Sequence, residues 1–323
     1  MTSVDLALAR ATFLRRVAYK GNWLFTVIVG GAGLLASLAL WEHVLADGDL
    51  AGYDWHGMRA YLVIGYFAMT LTVGAGDWLI ATRILDGLVA IDLTKPIDFQ
   101  RARAVEFIGG LFATIPGAAV AIGAAAALSG LPAPVSPLAG ALTGLSLALT
   151  FPLSFGVIYL GVLTCFWTRR YMGVLWARDS IILFLSGMLV PVALFPDWLE
   201  VVAWSLPFVH FTTTPSSIYL GRVDTAGSLG LLSLQAAWVI GLWWLGRLVW
   251  SRAIRKVTIH GGLRTARLQR LPPLGEGPTH VHSRVSSGLL GHVGLGAVQP
   301  GHHLRIPGRP VRLDRLDRRM GLP

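Results

Sequence analysis

The sequence predicts an all-α integral membrane protein with six transmembrane helices, an N-terminal amphipathic interface helix, and re-entrant helices between spans 5 and 6. Three observations support this class. Hydrophobic residues make up 54% of the 323 residues and charged residues only 14%, whereas soluble domains carry about a quarter charged residues. The mean hydropathy is +0.61. Long apolar runs also recur along the chain, separated by short charged loops.

We predict three regions along the chain. Residues 1–22 place apolar side chains among four cations, a composition typical of a cytoplasmic amphipathic helix in the membrane plane. Residues 23–262 form the six-span domain. Residues 263–323 hold ten arginines against three acidic residues and have no apolar periodicity, which predicts a disordered basic cytoplasmic tail. This tail either tethers the chain to anionic lipid or is not selected protein at all, for instance a shifted reading frame.

The six spans follow from apolar runs bounded by charged or aromatic residues. They cover about residues 23–41, 59–80, 105–129, 138–167, 180–196 and 228–250. Trp23 and Trp41 flank the first span, where an aromatic belt is expected. Cys165 lies within span 4, so it is expected to be a buried, inert thiol.

The distribution of positive charge predicts the orientation of the spans. Fifteen Lys and Arg residues flank the spans on the side of the termini, against two, Arg59 and Arg222, on the other. Because positive residues concentrate on the cytoplasmic side, both termini are predicted to be cytoplasmic. Arginine outnumbers lysine 24 to 3 and there is one asparagine, a bias that indicates a GC-rich bacterial genome and hence a bacterial plasma membrane.

Between spans 2 and 3 lies a charged segment, residues 81–104, ATRILDGLVAIDLTKPIDFQRARA. Its spacing predicts a short helix from Ile84 to Leu93 that ends before Pro96. The apolar residues of this helix are expected to share one face, and they are Ile84, Leu85, Leu88, Val89, Ile91 and Leu93. The charged residues are expected to stay in water, and they are Arg83, Asp86, Asp92 and Lys95. Such a helix either rests on the lipid headgroups or docks a soluble partner.

The stretch from Asp197 to Gly227 is too interrupted to span and too apolar to be an ordinary loop. It alternates pieces such as VVAWSLPFVHF with Pro207, Pro215 and three consecutive threonines. Irregular backbone at membrane depth is tolerated only where it is buried in protein or lines a cavity. We therefore predict short half-inserted helices at the outer boundary of the membrane.

Two features inside the spans are candidates for function. Asp77 is an intramembrane carboxylate near the inner end of span 2, beside Arg83, and is either a salt-bridged boundary residue or part of a transport route. Gly140, Gly144 and Ala148 form a stripe of small residues on span 4. Such stripes allow close helix approach, either within the chain or in a dimer.

Several activities are excluded or unsupported. The chain has no Gly-x-x-x-x-Gly-Lys-Ser/Thr sequence, so it is not itself an ATPase. No nucleophile, base and acid set emerges from His43, His56 or His210, and the histidines after residue 262 lack a spacing typical of metal ligands. We therefore expect no catalytic residues, no metal and no directly bound cofactor, and membrane lipid rather than nucleic acid as a partner.

These features together resemble the permease subunits of the type-2 ABC exporter family. The resemblance rests on the basic N-terminal helix, the six spans, the segment ILDGLVAIDLTKPIDF after span 2, and the exterior segment SGMLVPVALFPDWLEVVAWSLPFVHFTTTPSSIYLG, residues 186–221. It covers about residues 5–262, and Gly261-Gly262 resembles the place where such chains finish. One departure is Ala90-Ile91-Asp92, where the family implies a more continuous leucine-rich stretch.

The resemblance implies a permease subunit of an ATP-driven exporter. It implies a dimer with a second permease subunit, identical or homologous, and separate ABC ATPase subunits that bind ATP and Mg²⁺. Dimer contacts are then expected on spans 1, 2 and 5. The exterior gate and re-entrant region would include Phe195, Pro196, Trp198, Pro207, Phe208 and Tyr219.

The same resemblance makes the charged segment the ATPase-coupling element. We hypothesise that its apolar side chains insert into a cleft of the ATPase, namely Ile84, Leu85, Leu88 and Leu93, and that Arg83 and Lys95 make rim contacts that tune association. The alternative is a stand-alone secondary transporter or channel. The lack of charges in mid-span and of an obvious inverted repeat disfavours it. A membrane-bound enzyme is a third class, without a convincing catalytic set.

Overall fold

The computed structural model describes residues 3–18, 20–72, 77–130, 132–168 and 171–268. Helices account for 81% of these residues, and none of them forms a strand. The all-α class is therefore confirmed. The helices, in chain order, are α1 (Ser3–Ala18), α2 (Lys20–Val44), α3 (Trp55–Thr72), α4 (Asp77–Leu85), α5 (Val89–Asp92), α6 (Phe99–Ser129), α7 (Pro137–Leu163), α8 (Tyr171–Leu185), α9 (Asp197–Trp204), α10 (Val209–Tyr219) and α11 (Thr225–Leu268).

Four stretches are long and apolar enough to cross a membrane. They are Trp55–Leu85, Phe99–Ala121, Pro137–Phe166 and Thr225–Arg255, and they correspond to predicted spans 2, 3, 4 and 6. The apolar part of α2, Ile28–Val44, is shorter. These stretches make the chain a multi-pass membrane protein, while the count of six spans stays a prediction.

The N-terminal helix packs against α6 through small residues. Gly109 of α6 lies directly against the backbone of Ala9, with room for no side chain between them. Near the start of both helices, Arg101 Nη2 donates to Asp5 Oδ2 at 2.5 Å, and the Asp5 side chain is buried. The contacts place one face of α1 on the bundle and leave apolar side chains such as Leu6 and Leu14 exposed. The location of α1 in the membrane interface stays a prediction.

Replacing Gly109 with alanine is expected to push α1 away from α6. The added Cβ would overlap the Ala9 carbonyl oxygen and lie 2.9 Å from the Ala9 Cα, so backbone must move. Overpacking of this kind costs about 1–3 kcal/mol, and thermal unfolding of the detergent-solubilised protein should record it. Gly123→Ala on the same helix is the control, because a Cβ there meets nothing within 4 Å. Equal melting temperatures for both variants would contradict this contact.

The helix α10 occupies the interior of the bundle between α3 and α7. Its residues from Val209 to Ile218 are all buried, including five Ser and Thr side chains and His210. The long helix α11 packs along α7, where Gly156 allows close approach of Leu242. The interrupted stretch therefore supplies a polar helix to the core of an otherwise apolar bundle.

Three boundaries differ from the sequence predictions. The interface helix is predicted over residues 1–22, but α1 ends at Ala18 and α2 begins at Lys20. Predicted span 5 was placed at residues 180–196, but α8 ends at Leu185 because Gly187 adopts a positive φ of 83° and Pro191 follows. The helix α11 continues to Leu268, past the predicted domain end at residue 262, and residues 269–323 of the predicted tail lie outside the described residues.

Candidate functional site

The charged segment forms two short helical pieces rather than one helix. The helix α4 ends at Leu85, and Gly87, with a φ of +75°, turns the chain before the single turn α5. The predicted continuous helix from Ile84 to Leu93 is therefore wrong. Glycine adopts this left-handed conformation without the steric cost that a side chain imposes. After Pro96 the Asp98 side chain accepts from the Arg101 amide at 2.9 Å and starts α6.

This turn divides the apolar residues of the segment between two faces. Ile84 and Val89 are buried, at 8% and 1% exposed, in a cluster with Phe99, and Leu85 packs against that cluster. The side chains that face outward are Leu88, Ile91 and Leu93, which are 44%, 58% and 43% exposed. We call these three residues the outer patch.

The division corrects the predicted docking residues. Ile84 is part of the core of this chain, so its side chain is not available to insert into a partner. Leu85 is half-buried against the same core. Leu88 and Leu93 remain available, and Ile91 joins them. Their docking on an ATPase stays a prediction.

Asp92 lies at the centre of an ion cluster, whereas the periodicity of the sequence predicted that its side chain would face water. Its side chain is buried, and it accepts from Arg83 Nη1 at 2.6 Å and from Lys95 Nζ at 2.8 Å. Arg103 Nη2 lies 3.9 Å from the same carboxylate. We call these four residues the Asp92 cluster. Because Arg83 belongs to α4 and Arg103 to α6, the cluster joins the outer patch to both flanking helices.

The surroundings of Asp92 change its acidity. Burial favours the neutral acid, but the hydrogen bonds from Arg83 and Lys95 and the charge of Arg103 outweigh it and hold the pKa of Asp92 below its usual value. A carboxylate with a lowered folded-state pKa stabilises the fold at every pH above the unfolded-state pKa. That contribution is lost as the pH falls through the lowered value. Asp92 is therefore charged at neutral pH.

Further ion pairs surround the same end of the bundle. Arg103 Nη1 lies 2.9 Å from Glu106 Oε2, and Arg247 Nη2 of α11 lies 3.4 Å from Asp98 Oδ1. The Phe99 ring stacks on the Trp250 ring with centroids 4.2 Å apart. The charged segment is thus held by contacts with α6 and α11 as well as with α4.

Asp77 is salt-bridged, and its partner is Arg178 rather than the nearby Arg83. Arg178 Nη2 of α8 donates to Asp77 Oδ2 at 2.7 Å, and the Trp78 amide donates to Asp77 Oδ1 at 2.7 Å. Arg178 also donates to Asp179 at 2.7 Å. The geometry fits the boundary interpretation of Asp77, and it connects the first turn of α4 with α8.

The predicted gate residues lie in different environments. Phe195 is buried and stacks on Phe184, whereas Pro196 and Trp198 are exposed at the start of α9. Pro207 is buried, and Phe208 is half-buried, at the start of α10. The Tyr219 hydroxyl at the end of α10 donates to the Pro132 carbonyl at 2.7 Å. A gating role for these residues stays a prediction.

Hydrogen bonds that sequence reasoning missed hold α10 on two sides. On one side, the Tyr61 hydroxyl donates to the Gly187 carbonyl at 2.8 Å, and Thr213 Oγ1 donates to the Ser186 carbonyl at 2.8 Å. On the other, Gln235 Nε2 of α11 donates to the carbonyls of Ser146 and His210 at 3.0 and 3.2 Å and to Thr150 Oγ1 at 3.2 Å. The sequence did contain a signal for these hydrogen bonds, namely Gln235 within predicted span 6, because a buried polar side chain needs hydrogen-bond partners.

Most of the small-residue stripe of α7 does not pack against other residues that the structure describes. Gly144 and Ala148 are exposed, and a Cβ on Gly144 would meet nothing within 4 Å. Gly140 approaches only Pro134, from the preceding loop. The intrachain interpretation of this stripe is therefore wrong for Gly144 and Ala148. The contact with a second subunit stays a prediction.

Comparison with known proteins identifies the family. The family model described as ABC-2 family transporter protein matches residues 27–261. No curated protein matches the chain. The matched range contains the charged segment, the interrupted stretch and all four candidate spans, and it ends beside the Gly261-Gly262 pair. The chain belongs to the ABC-2 transporter family and is a type-2 ABC transporter permease.

Proposed function

We propose that this permease docks a separate ABC ATPase through the outer patch and exports its substrate with the energy of ATP hydrolysis in that partner. One observation carries the proposal. Three branched apolar side chains, Leu88, Ile91 and Leu93, are exposed on a turn outside the candidate spans, and buried ion pairs hold that turn in place. A loop that only joins two spans needs neither feature.

The chemistry of the patch fits a soluble protein partner. Its apolar centre is bordered by Lys95, whose side chain is half exposed at 51%, and by the exposed carboxylate of Asp86. Interfaces commonly combine apolar anchors with a charged rim that tunes association. ATP and Mg²⁺ would bind to the ATPase, since the permease lacks a phosphate-binding loop.

The wider arrangement is part of the same proposal. Six spans, counting α2 and α8, would place both termini and the outer patch in the cytoplasm of a bacterial cell, as the positive residues predict. A second permease, identical or homologous, would complete the substrate route. The exposed Gly144 and Ala148 of α7 and the exposed apolar side chains of α2 and α8 are available for such a contact or for lipid.

Affinity purification tests the proposal directly. The tagged chain is isolated from its native membrane in mild detergent, and co-purified proteins are identified by mass spectrometry. We expect a stoichiometric ATPase with a phosphate-binding loop, and we expect purified complex to hydrolyse ATP. Recovery of this chain alone across several detergents, together with transport in the absence of an ATPase, would favour the secondary transporter or channel instead.

A further inference from the structure

The helix α8 lies at the edge of the bundle and makes polar contacts with it at two places, in the middle of the helix and just beyond its C-terminal end. Along its length only Tyr171 and Ile182 are buried, and large side chains such as Met172 and Trp176 are exposed. Apolar packing holds one face of α8, through Tyr171 and Ile182 in two core clusters, and lipid contacts can replace helix contacts elsewhere at little cost. Its position depends on the polar contacts that it makes.

The first attachment is the ion pair between Arg178 and Asp77. The two side chains are only 11% and 19% exposed, and Nη2 and Oδ2 are 2.7 Å apart. Asp77 begins α4, and Arg83 near the other end of α4 binds Asp92. A chain of charged contacts therefore runs from the outer patch through α4 to α8.

The second attachment lies just beyond the last residue of α8. The carbonyls of Ser186 and Gly187 accept hydrogen bonds from Thr213 of α10 and Tyr61 of α3, and the two donor hydroxyls are 3.1 Å apart. A Cβ on Gly187 would lie 2.5 Å from each hydroxyl oxygen, so only glycine permits this approach. All five residues at the contact, counting Val192, are buried.

We infer that α8 transmits movement of the charged segment to α10, with Asp77 and Arg178 positioning the middle of α8 and Tyr61 and Thr213 positioning the chain just beyond its C-terminal end. Eight residues separate Arg178 from Ser186, a distance of about 12 Å along a helix. Over so short a distance a helix behaves as a rigid body. This inference rests on the proposed coupling to an ATPase, and it assigns the residues that carry the coupling across the bundle.

Two reporter sites distinguish movement of the charged segment from movement beside α10. In a Cys165→Ala background, an environment-sensitive fluorophore is attached at Thr94→Cys, beside the outer patch, or at Ser205→Cys, between α9 and α10. Both positions are exposed, and neither side chain bonds another side chain. ATP and Mg²⁺ are added to the complete permease–ATPase complex in nanodiscs, and fluorescence and ATP hydrolysis are recorded.

Both labels should respond to ATP in the otherwise native complex. In Arg178→Gln, and independently in Tyr61→Phe, the Thr94 label should still respond and hydrolysis should continue, while the response of the Ser205 label is lost. Arg178→Lys, which keeps the cation, should retain the response at Ser205. Tyr159→Phe is the matched control for Tyr61→Phe, because the Tyr159 hydroxyl is also buried but has no hydrogen-bond partner in the described part of the chain.

The two proposals fail in different ways. An undiminished Ser205 response in both Arg178→Gln and Tyr61→Phe would overturn transmission through α8 and leave ATPase coupling intact. Absence of any response at Thr94 in the native complex would overturn the coupling itself, and the role of α8 with it. Loss of the Ser205 response in Tyr159→Phe as well would assign the effect to general loosening of the core and would also overturn the inference.

Discussion

Replacing Leu88 and Ile91 together with glutamate is expected to abolish binding of the ATPase while leaving the permease folded. Both side chains are largely exposed, so the free permease bears little cost. In the complex, two carboxylates would enter an apolar contact without partners. Central interface residues often contribute about 2 kcal/mol or more each, so the affinity should fall at least about a hundredfold. Binding of purified ATPase to immobilised permease in nanodiscs measures this.

The matched control is Leu50→Glu. Leu50 is an exposed leucine in the loop between α2 and α3, which the charge distribution places on the opposite side of the membrane. Its replacement should leave the affinity for the ATPase unchanged. Equal affinities for the double variant and the native permease would show that the outer patch is not the docking surface, and the headgroup-resting interpretation of the charged segment would then be favoured.

Replacing Asp92 with asparagine is expected to release the outer patch from the bundle. The change removes the only negative charge that Arg83 and Lys95 share, and it leaves the buried Arg103 with Glu106 alone. Because Arg83 and Lys95 are themselves partly exposed, at 26% and 51%, the cost should be about 1–3 kcal/mol, the range for a buried hydrogen-bonding group that loses a partner. Hydrogen exchange should therefore become much faster at the amides of residues 86–98, and ATPase binding should weaken because the patch must be ordered again on docking.

Asp86→Asn provides the comparison. Asp86 lies in the same charged segment, six residues before Asp92, and its side chain is also a carboxylate, but it is exposed. Its replacement should change neither the exchange rates nor the ATPase affinity by much. If Asp92→Asn behaved like Asp86→Asn in both measurements, the Asp92 cluster would not be what positions the outer patch.

The membrane class and four of the spans were predictable because they depend on quantities that composition reveals directly. A helix such as α7, with its long apolar run between Pro137 and Leu163, is specified by length and hydropathy alone. The helix begins within one residue of the predicted start at about residue 138, and the Ser136 hydroxyl accepts from the Ala139 amide there. Neither feature depends on a distant part of the chain.

Which side chains of the charged segment are buried could be predicted only in part, because the answer depends on the backbone φ angle of Gly87. Periodicity places Ile84 and Ile91 on one apolar face, but the left-handed turn at Gly87 rotates them apart. Periodicity likewise predicts that Asp92 faces water. Its side chain is instead buried, because three cations neutralise it, and one of them, Arg103, comes after Pro96 in the chain. Partners that lie far along the chain decide such burial.

The limits of α8 show the same dependence on distant residues. A charged residue such as Arg178 predicts a loop between two spans. Arg178 nevertheless lies within α8, where its side chain forms an ion pair with Asp77. The apolar run after Ser180 predicts one span, yet the helix ends at Leu185, before the positive φ of Gly187, and Tyr61 and Thr213 occupy the space that a side chain at Gly187 would need. Hydropathy records the solvent preference of each residue and carries no information on these contacts.

The length of α11 restricts the shape of any protein that covers the outer patch. Its 44 residues extend about 66 Å, while the hydrocarbon core of a bilayer is about 30 Å thick. Arg247 and Trp250 lie beside Asp98 and Phe99, so the turns that follow them project past the charged segment. In the proposed complex, an ATPase docked on the outer patch would have to fit beside this helix, which would limit the area of the permease that it covers on that side.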